Sequence, residues 1–154
     1  MCVDPFGGVA CQCGSQGCLE VYASATAIVR MAREGRPEYP HTILDDCDDL
    51  TAKQIYSAGL EGDDLAVEVF RRMGSYLGVG VANLINILDP DSIVLGGGVV
   101  NAWDLFAKHM KNEIAQHSFS VPAAQAEVVQ GKCGDDAGLL GAARLAFDRI
   151  AIES

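Results

Sequence analysis

Positive charge is scarce in this chain. Lys and Arg number 11 against 21 Asp and Glu in 154 residues, a formal net charge of −10. No lysine- or arginine-rich run occurs. A surface that tracks a phosphate backbone has to neutralise it, so no direct nucleic-acid contact is expected from this segment. Nucleotides stay open as ligands, because backbone N–H groups and helix ends hold phosphate without side-chain charge. Long apolar runs are missing too: Gly, Asn or Asp interrupts each one well short of a bilayer span, which argues against membrane partners. The opening stretch Met1 to Phe6 has neither the basic start nor the apolar centre of a secretory signal. These absences point to a cytoplasmic location. There the six cysteines are expected as thiols and metal ligands, not disulfides. Internal repeats and low-complexity stretches are absent. With 49% hydrophobic and 21% charged residues, the composition is that of one folded domain.

Residues 1–19 are rich in Gly and Cys and predict no regular element. A 3.6-residue apolar period then predicts a helix from Glu20 to about Glu34, stopped by Gly35 and Pro37. An aspartate-rich connection fills 36–50. Thr51 caps a short helix to about Ala58, ended by Gly59 and Gly62. Asp63 or Asp64 caps a long helix from about Leu65 to Ile87. Gly74, Gly78 and Gly80 inside it each cost about 1 kcal/mol relative to Ala, so close packing against a neighbour is their expected use. Asp89-Pro90 breaks that helix. Residues 92–95 predict a buried strand, followed by Gly96-Gly97-Gly98 and a helix from about Asn101 to Gln116. A second strand over 126–129 and a last helix from about Asp135 to Ile150 complete an α/β order with parallel pairing.

Cys11, Cys13 and Cys18 place three thiols within one short loop, and Gly14 and Gly17 supply the turns that bring Cys18 back to the other two. Three ligands of a closed tetrahedral zinc site are therefore present. No C-x-x-C occurs, which argues against a redox pair. Cys2 and His41 are the options for a fourth ligand. Glu20, directly after the loop, has two readings: a carboxylate positioned to accept hydroxyl donors, or a first-turn residue complementing a helix dipole. The Gly96–Gly98 turn is neither a dinucleotide fingerprint, since Asn101 stands at the third glycine position, nor a Walker A loop. It is a tight α/β turn, or a place where a nucleotide approaches bare backbone. Asp135 and Asp136 read as helix-start caps. His41, His109 and His117 lack metal or triad spacing and are expected on solvated surfaces. Trp103 and Phe106 are expected in the core or a dimer contact.

Met1-Cys2-Val3-Asp4-Pro5, then Cys11-x-Cys13-Gly14-x-x-Gly17-Cys18-Leu19-Glu20-x-Tyr22-x-Ser24, resembles the signature of the ROK family of bacterial sugar kinases and transcriptional repressors. Residues 83–99 and 134–143 resemble its nucleotide-proximal strand and turn and its closing helix. The resemblance implies an actin-like (ribonuclease H-like) ATPase fold of two α/β domains, with this chain as most of the carboxy-terminal one. Residues 1–20 would be the zinc knuckle, 21–62 a helical connection and 63–154 the nucleotide-proximal part. The family's Asp-x-Gly-x-Thr loop, and the Asn-Asp pair with the catalytic aspartate, do not occur in this sequence. Its Gly-His pair, whose histidine binds zinc and sugar, would fall just before Met1. The implied roles are structural zinc on Cys11, Cys13 and Cys18, hexose hydroxyls on Glu20, and the adenosine side of ATP on Gly96, Gly97, Gly98, Gly134 and Gly138. ATP and Mg²⁺ would act in the complete enzyme, which would be a homodimer. The implied parent is an ATP-dependent hexose kinase whose carboxy-terminal part is inactive alone. A repressor's sugar-sensing domain and a truncated binding module are the alternatives.

Overall fold

The structure, a computed structural model, describes residues 1–44, 48–120 and 125–152; of Asp135 and residues 149–152 it describes the backbone. The sixth cysteine, Cys47, and the capping role expected of the Asp135 side chain lie outside the described residues.

Three helices start where short polar side chains take up an otherwise unpaired N–H. Helix α1 spans Ala25–Gly35, and the Ser24 hydroxyl accepts from the Ala27 N–H. Helix α2 spans Ala52–Leu60 behind a reciprocal box, in which Thr51 accepts from the Gln54 N–H and donates its own N–H back to the Gln54 side chain. Helix α3 spans Asp64–Leu88 and is capped by Asp63. Asp63 is buried, and the burial opposes its ionised form. Bonds from the Ala66 and Ile43 N–H groups and the Thr42 hydroxyl overcome that penalty and hold its carboxyl below the ordinary range. They tie the 42–44 segment to the start of α3.

Predicted boundaries move at several helix ends. The helix expected from Glu20 is a 3-10 turn over Leu19–Val21, and α1 begins only after Ser24. The apolar period does not see this break, which falls between the C-cap of the 3-10 turn at Tyr22 and the α1 cap at Ser24. Helix α2 runs through Gly59, whose missing Cβ makes room for Leu105. At the far end of α3, Asp89 takes a left-handed φ of 45° ahead of Pro90.

Strands β1 (Ser92–Leu95) and β2 (Glu127–Gln130) pair in parallel, with Ile93 opposite Val128 and Leu95 opposite Gln130. Between them lie a 3-10 segment, Gly98–Ala102, and helix α4, Trp103–His117. The strand predicted as buried has one open face: Ile93 and Leu95 pack on the core, whereas Val94 is 62% exposed. A two-stranded sheet covered on one side leaves the alternate residues in water. Helix α5 (Ala137–Ile152) exposes Leu139, Leu140, Leu145 and Phe147.

The core lies between α3 and its neighbours. Phe70, Met73, Ile85, Phe106 and Met110 are almost fully buried, and Trp103 meets Phe106 edge-on. The α3 glycines serve contact as expected. Gly74 abuts Phe106, Gly78 abuts the Met110 backbone, and Gly80 receives the Leu19 side chain.

On the α3 surface Glu68 accepts from Arg71 and Arg72. The Arg71 bond leads in holding its carboxyl at about 2, down from 4.5, against some burial. A depressed carboxylate contributes stability that is present above its unfolded value and lost as pH falls through the folded one. Glu68→Gln is therefore expected to cost under about 1 kcal/mol at neutral pH, given the half-exposed arginines. In urea titrations the gap to wild type should close between pH 4.5 and 2. A gap that stays constant across that window would show that the carboxylate does not stabilise the fold.

Candidate functional site

Short antiparallel pairings build the cysteine loop. Ala10 faces Gln16, and Cys2 faces Cys18. The Cys11 N–H donates to the Ser15 carbonyl at 2.8 Å, and the Gly14 N–H donates to the Cys11 carbonyl at 3.0 Å. Gly14 and Gly17 take φ of 87° and 68°, the left-handed region that favours glycine. Gly17 also has no room for more, since a Cβ there would stand 1.8 Å from the Asp4 carbonyl oxygen.

This backbone gathers the three predicted thiols. The Sγ atoms of Cys11, Cys13 and Cys18 lie within 4.8 Å of one another, and Cys13 and Cys18 are 3.6 Å apart. Zinc–sulfur bonds of about 2.3 Å in a tetrahedron require sulfur–sulfur edges of about 3.8 Å, so the cluster fits an ion of that size. The Ser15 backbone, then the neighbouring thiols, hold Cys13 below the ordinary thiol range. Cys18 is pushed up to about 11, first by its contact with Cys13 and then by burial. Crowded thiols resist joint ionisation, and a cation bound among them displaces their protons. His41 is not brought to the cluster. It lines a separate cleft of ≈ 470 Å³ with Glu38, Thr42, Glu61 and Asp63.

A latch that sequence reasoning missed holds the loop. The Tyr22 hydroxyl donates to Asp4 Oδ2 at 2.8 Å and accepts from the Val9 N–H at 2.9 Å. Its ring stacks on Tyr76 of α3 at 4.0 Å. The Asp4-Pro5 turn and the Tyr after the cysteines were visible in the sequence, but their pairing is not local.

Glu20 sits on the 3-10 turn directly after Cys18, with the Leu19 N–H bonded to the Met1 carbonyl and the Val21 N–H to the Cys18 carbonyl. Its backbone is thus tied to the loop on both sides. The side chain is exposed and makes no hydrogen bond or ion pair among the described residues. It lies in the first turn of this 3-10 segment and outside α1.

Gly96 and Gly97 stand in open space, with φ 87° at Gly97. Gly98 opens onto a cleft of ≈ 530 Å³ lined by Ala25, Ile28, Phe70 and Val99, with Lys53, Tyr56 and Asn101 as its polar groups. The helix expected to begin beside this turn starts as the 3-10 segment, which moves the α-helical N-terminus to Trp103. Lys53 and Tyr56 escaped sequence reasoning, because only the tertiary fold brings α2 to the turn. Gly134 (φ 53°) and Gly138 are exposed with open space around them, and neither lines this cleft. His41 and His117 are exposed as expected. His109 is half-buried, and desolvation lowers its pKa.

The parallel strand pair, its helices and the glycine turn form an α/β unit of the actin-like ATPase class, as in the solved ROK sugar kinases that superpose on it. The chain belongs to the ROK family, whose profile matches residues 1–149. It is 41% identical to a glucokinase of Halalkalibacterium halodurans over 143 residues, covering 90% of this chain and 43% of that protein. A ROK family glucokinase from Streptomyces griseus, solved with glucose and AMPPNP, superposes with a TM-score of 0.79 at 35% identity, over 94% of this chain and 49% of that one. A ROK family transcriptional regulator superposes at 0.75 and 31% identity, over 84% of this chain and 33% of its own. The chain thus spans about half or less of the length of each. Among the described residues no helix is long and apolar enough to cross a membrane.

Proposed function

We propose that this chain is the sugar-orienting and adenosine-side part of an ATP-dependent hexose kinase. The observation that carries the reading is the glycine turn opening on an apolar cleft, in a chain similar to a glucokinase solved with glucose and AMPPNP. Gly96, Gly97 and Gly98 let adenosine approach bare backbone; Gly134 and Gly138, which the family resemblance places on the same side, lie outside this cleft and would meet the nucleotide beyond it. The Glu20 carboxylate accepts bonds from sugar hydroxyls. Cys11, Cys13 and Cys18 hold a structural zinc that fixes Glu20 in place. Positioning is the main contribution such a part makes to phosphoryl transfer; Mg²⁺ supplied with ATP would neutralise phosphate charge. Residues 1–20, 21–62 and 63–154 divide this work as knuckle, connection and nucleotide-proximal part. A homodimer and a cytoplasmic location belong to the same reading.

The test combines two measurements on the 154-residue chain. A coupled assay with glucose and ATP is expected to show no turnover, because no residue here matches the catalytic aspartate. Titration with AMPPNP, followed by NMR, is expected to shift the Tyr56 and Val99 signals and to lose that effect in Gly98→Val. Turnover would overturn the view of the chain as incomplete. Glucose binding with no response to AMPPNP would favour a sugar-sensing repressor domain, the reading suggested by the likeness to the transcriptional regulator.

A further inference from the structure

The net charge of −10 is not spread evenly over the clefts of this chain. The cleft beside His41 has Glu38, Glu61, Asp63 and Asp64 in its wall. Three others include Glu61, Glu34 with Asp48, and Glu113. Arginines in two of those walls are already committed, Arg30 to Glu34 and both Arg71 and Arg72 to Glu68. The cleft that opens at Gly98 differs on both counts. It has no carboxylate in its lining, and its one charged residue is Lys53, in the first turn of α2. Lys53 is exposed and makes no hydrogen bond or ion pair among the described residues. It also borders the Glu61 cleft, yet the two do not pair. The lysine is therefore not spent on neutralising a neighbour. The wall around it is apolar, with Ile28, Phe70 and Val99, and low-dielectric walls focus the field of a charge set among them.

We infer that Lys53 is the residue by which this cleft tells a nucleotide from its nucleoside: the base lies on the apolar wall, and the Lys53 ammonium pairs with a phosphate oxygen. This rests on the reading of the Gly96–Gly98 turn as the adenosine side of an ATP site, and adds to it the group that recognises charge. An ammonium is a compact point charge with three donors on a flexible stem, suited to phosphate without a fixed geometry. The cleft holds ≈ 530 Å³, within the range of about 300–1,000 Å³ usual for small-molecule sites. Elsewhere the acidic surface repels phosphate. Here that repulsion is weakest, and a free cation stands beside open backbone at Gly98.

The test is calorimetric titration of the 154-residue chain with AMPPNP and with adenosine, without magnesium so that the phosphate charge stays unmasked. The wild type is expected to bind AMPPNP more tightly than adenosine. Lys53→Gln keeps a polar side chain and removes the charge. It should weaken AMPPNP by at least about tenfold, the low end for a hydrogen bond to a charged group, and leave adenosine unchanged. Lys53→Arg keeps the cation and should retain most of the AMPPNP affinity. Lys111→Gln makes the same change in net charge on the exposed face of α4, away from the cleft, and should match the wild type. Equal AMPPNP affinities in Lys53→Gln and Lys111→Gln, or an equal loss of adenosine and AMPPNP in Lys53→Gln, would overturn the role of Lys53 while the nucleotide cleft stands. A wild-type chain that binds neither ligand would overturn the nucleotide reading itself.

Discussion

Gly17→Ala is expected to open the cysteine loop and, if the loop holds zinc as proposed, to reduce that affinity by more than about a hundredfold, beyond the loss of a supporting outer-shell partner. The new Cβ would lie 1.8 Å from the Asp4 carbonyl oxygen, a backbone atom that cannot rotate away. The φ of 68° adds about 1–2 kcal/mol of conformational cost for a residue with a Cβ. Asp4 is also the acceptor for Tyr22, so displacing it should release the ring stacked on Tyr76. Near-ultraviolet circular dichroism should record that loss without reference to metal. Gly14→Ala is the control. It shares the positive φ but meets nothing within 4 Å, so it should bear the conformational cost and little else. Equal zinc affinity and equal tyrosine signals in the two variants would refute the steric argument.

Gly78→Ala should reverse the usual sign of a glycine-to-alanine change in a helix. Alanine at an exposed helical site gains about 1 kcal/mol. Here its Cβ would meet the Met110 carbonyl at 2.5 Å and Glu113 Cβ at 2.7 Å, forcing α3 and α4 apart. Overpacking of this kind costs about 1–3 kcal/mol, often more where backbone must move. The expected result is a melting temperature lower by several degrees, at about 2–4 °C per kcal/mol for a chain of this size. Gly141→Ala, on the open α5 surface, should raise helix content instead. A Gly78→Ala variant as stable as wild type would mean that the two helices can separate at no cost.

Features carried by neighbouring residues were legible in the sequence. Thr51 with Gln54, and Asp63 three residues before Ala66, announce caps whose partners are within one turn. The spacing of Cys11, Cys13 and Cys18 with Gly14 and Gly17 announces a loop that folds back on itself, and the loop does so. Features that depend on distant partners were not legible. Periodicity ran through Tyr22 as though it were helical, because nothing local shows that its hydroxyl is committed to Asp4. The composition of Ser92 to Leu95 cannot show that only one face is covered. Lys53 and Tyr56 carry no motif and come to line the candidate cleft only when α2 packs beside Gly98.

Helix α3 touches both ends of this arrangement. Phe70 lines the cleft beside the glycine turn, while Tyr76 and Gly80 carry Tyr22 and Leu19 of the cysteine loop. The separation from Phe70 to Gly80 is about 15 Å at 1.5 Å per residue, and α4 braces it at Gly74 and Gly78 through near-backbone contact. The proposed nucleotide cleft and the proposed metal loop would thus both rest on one continuous helix, with no joint between them.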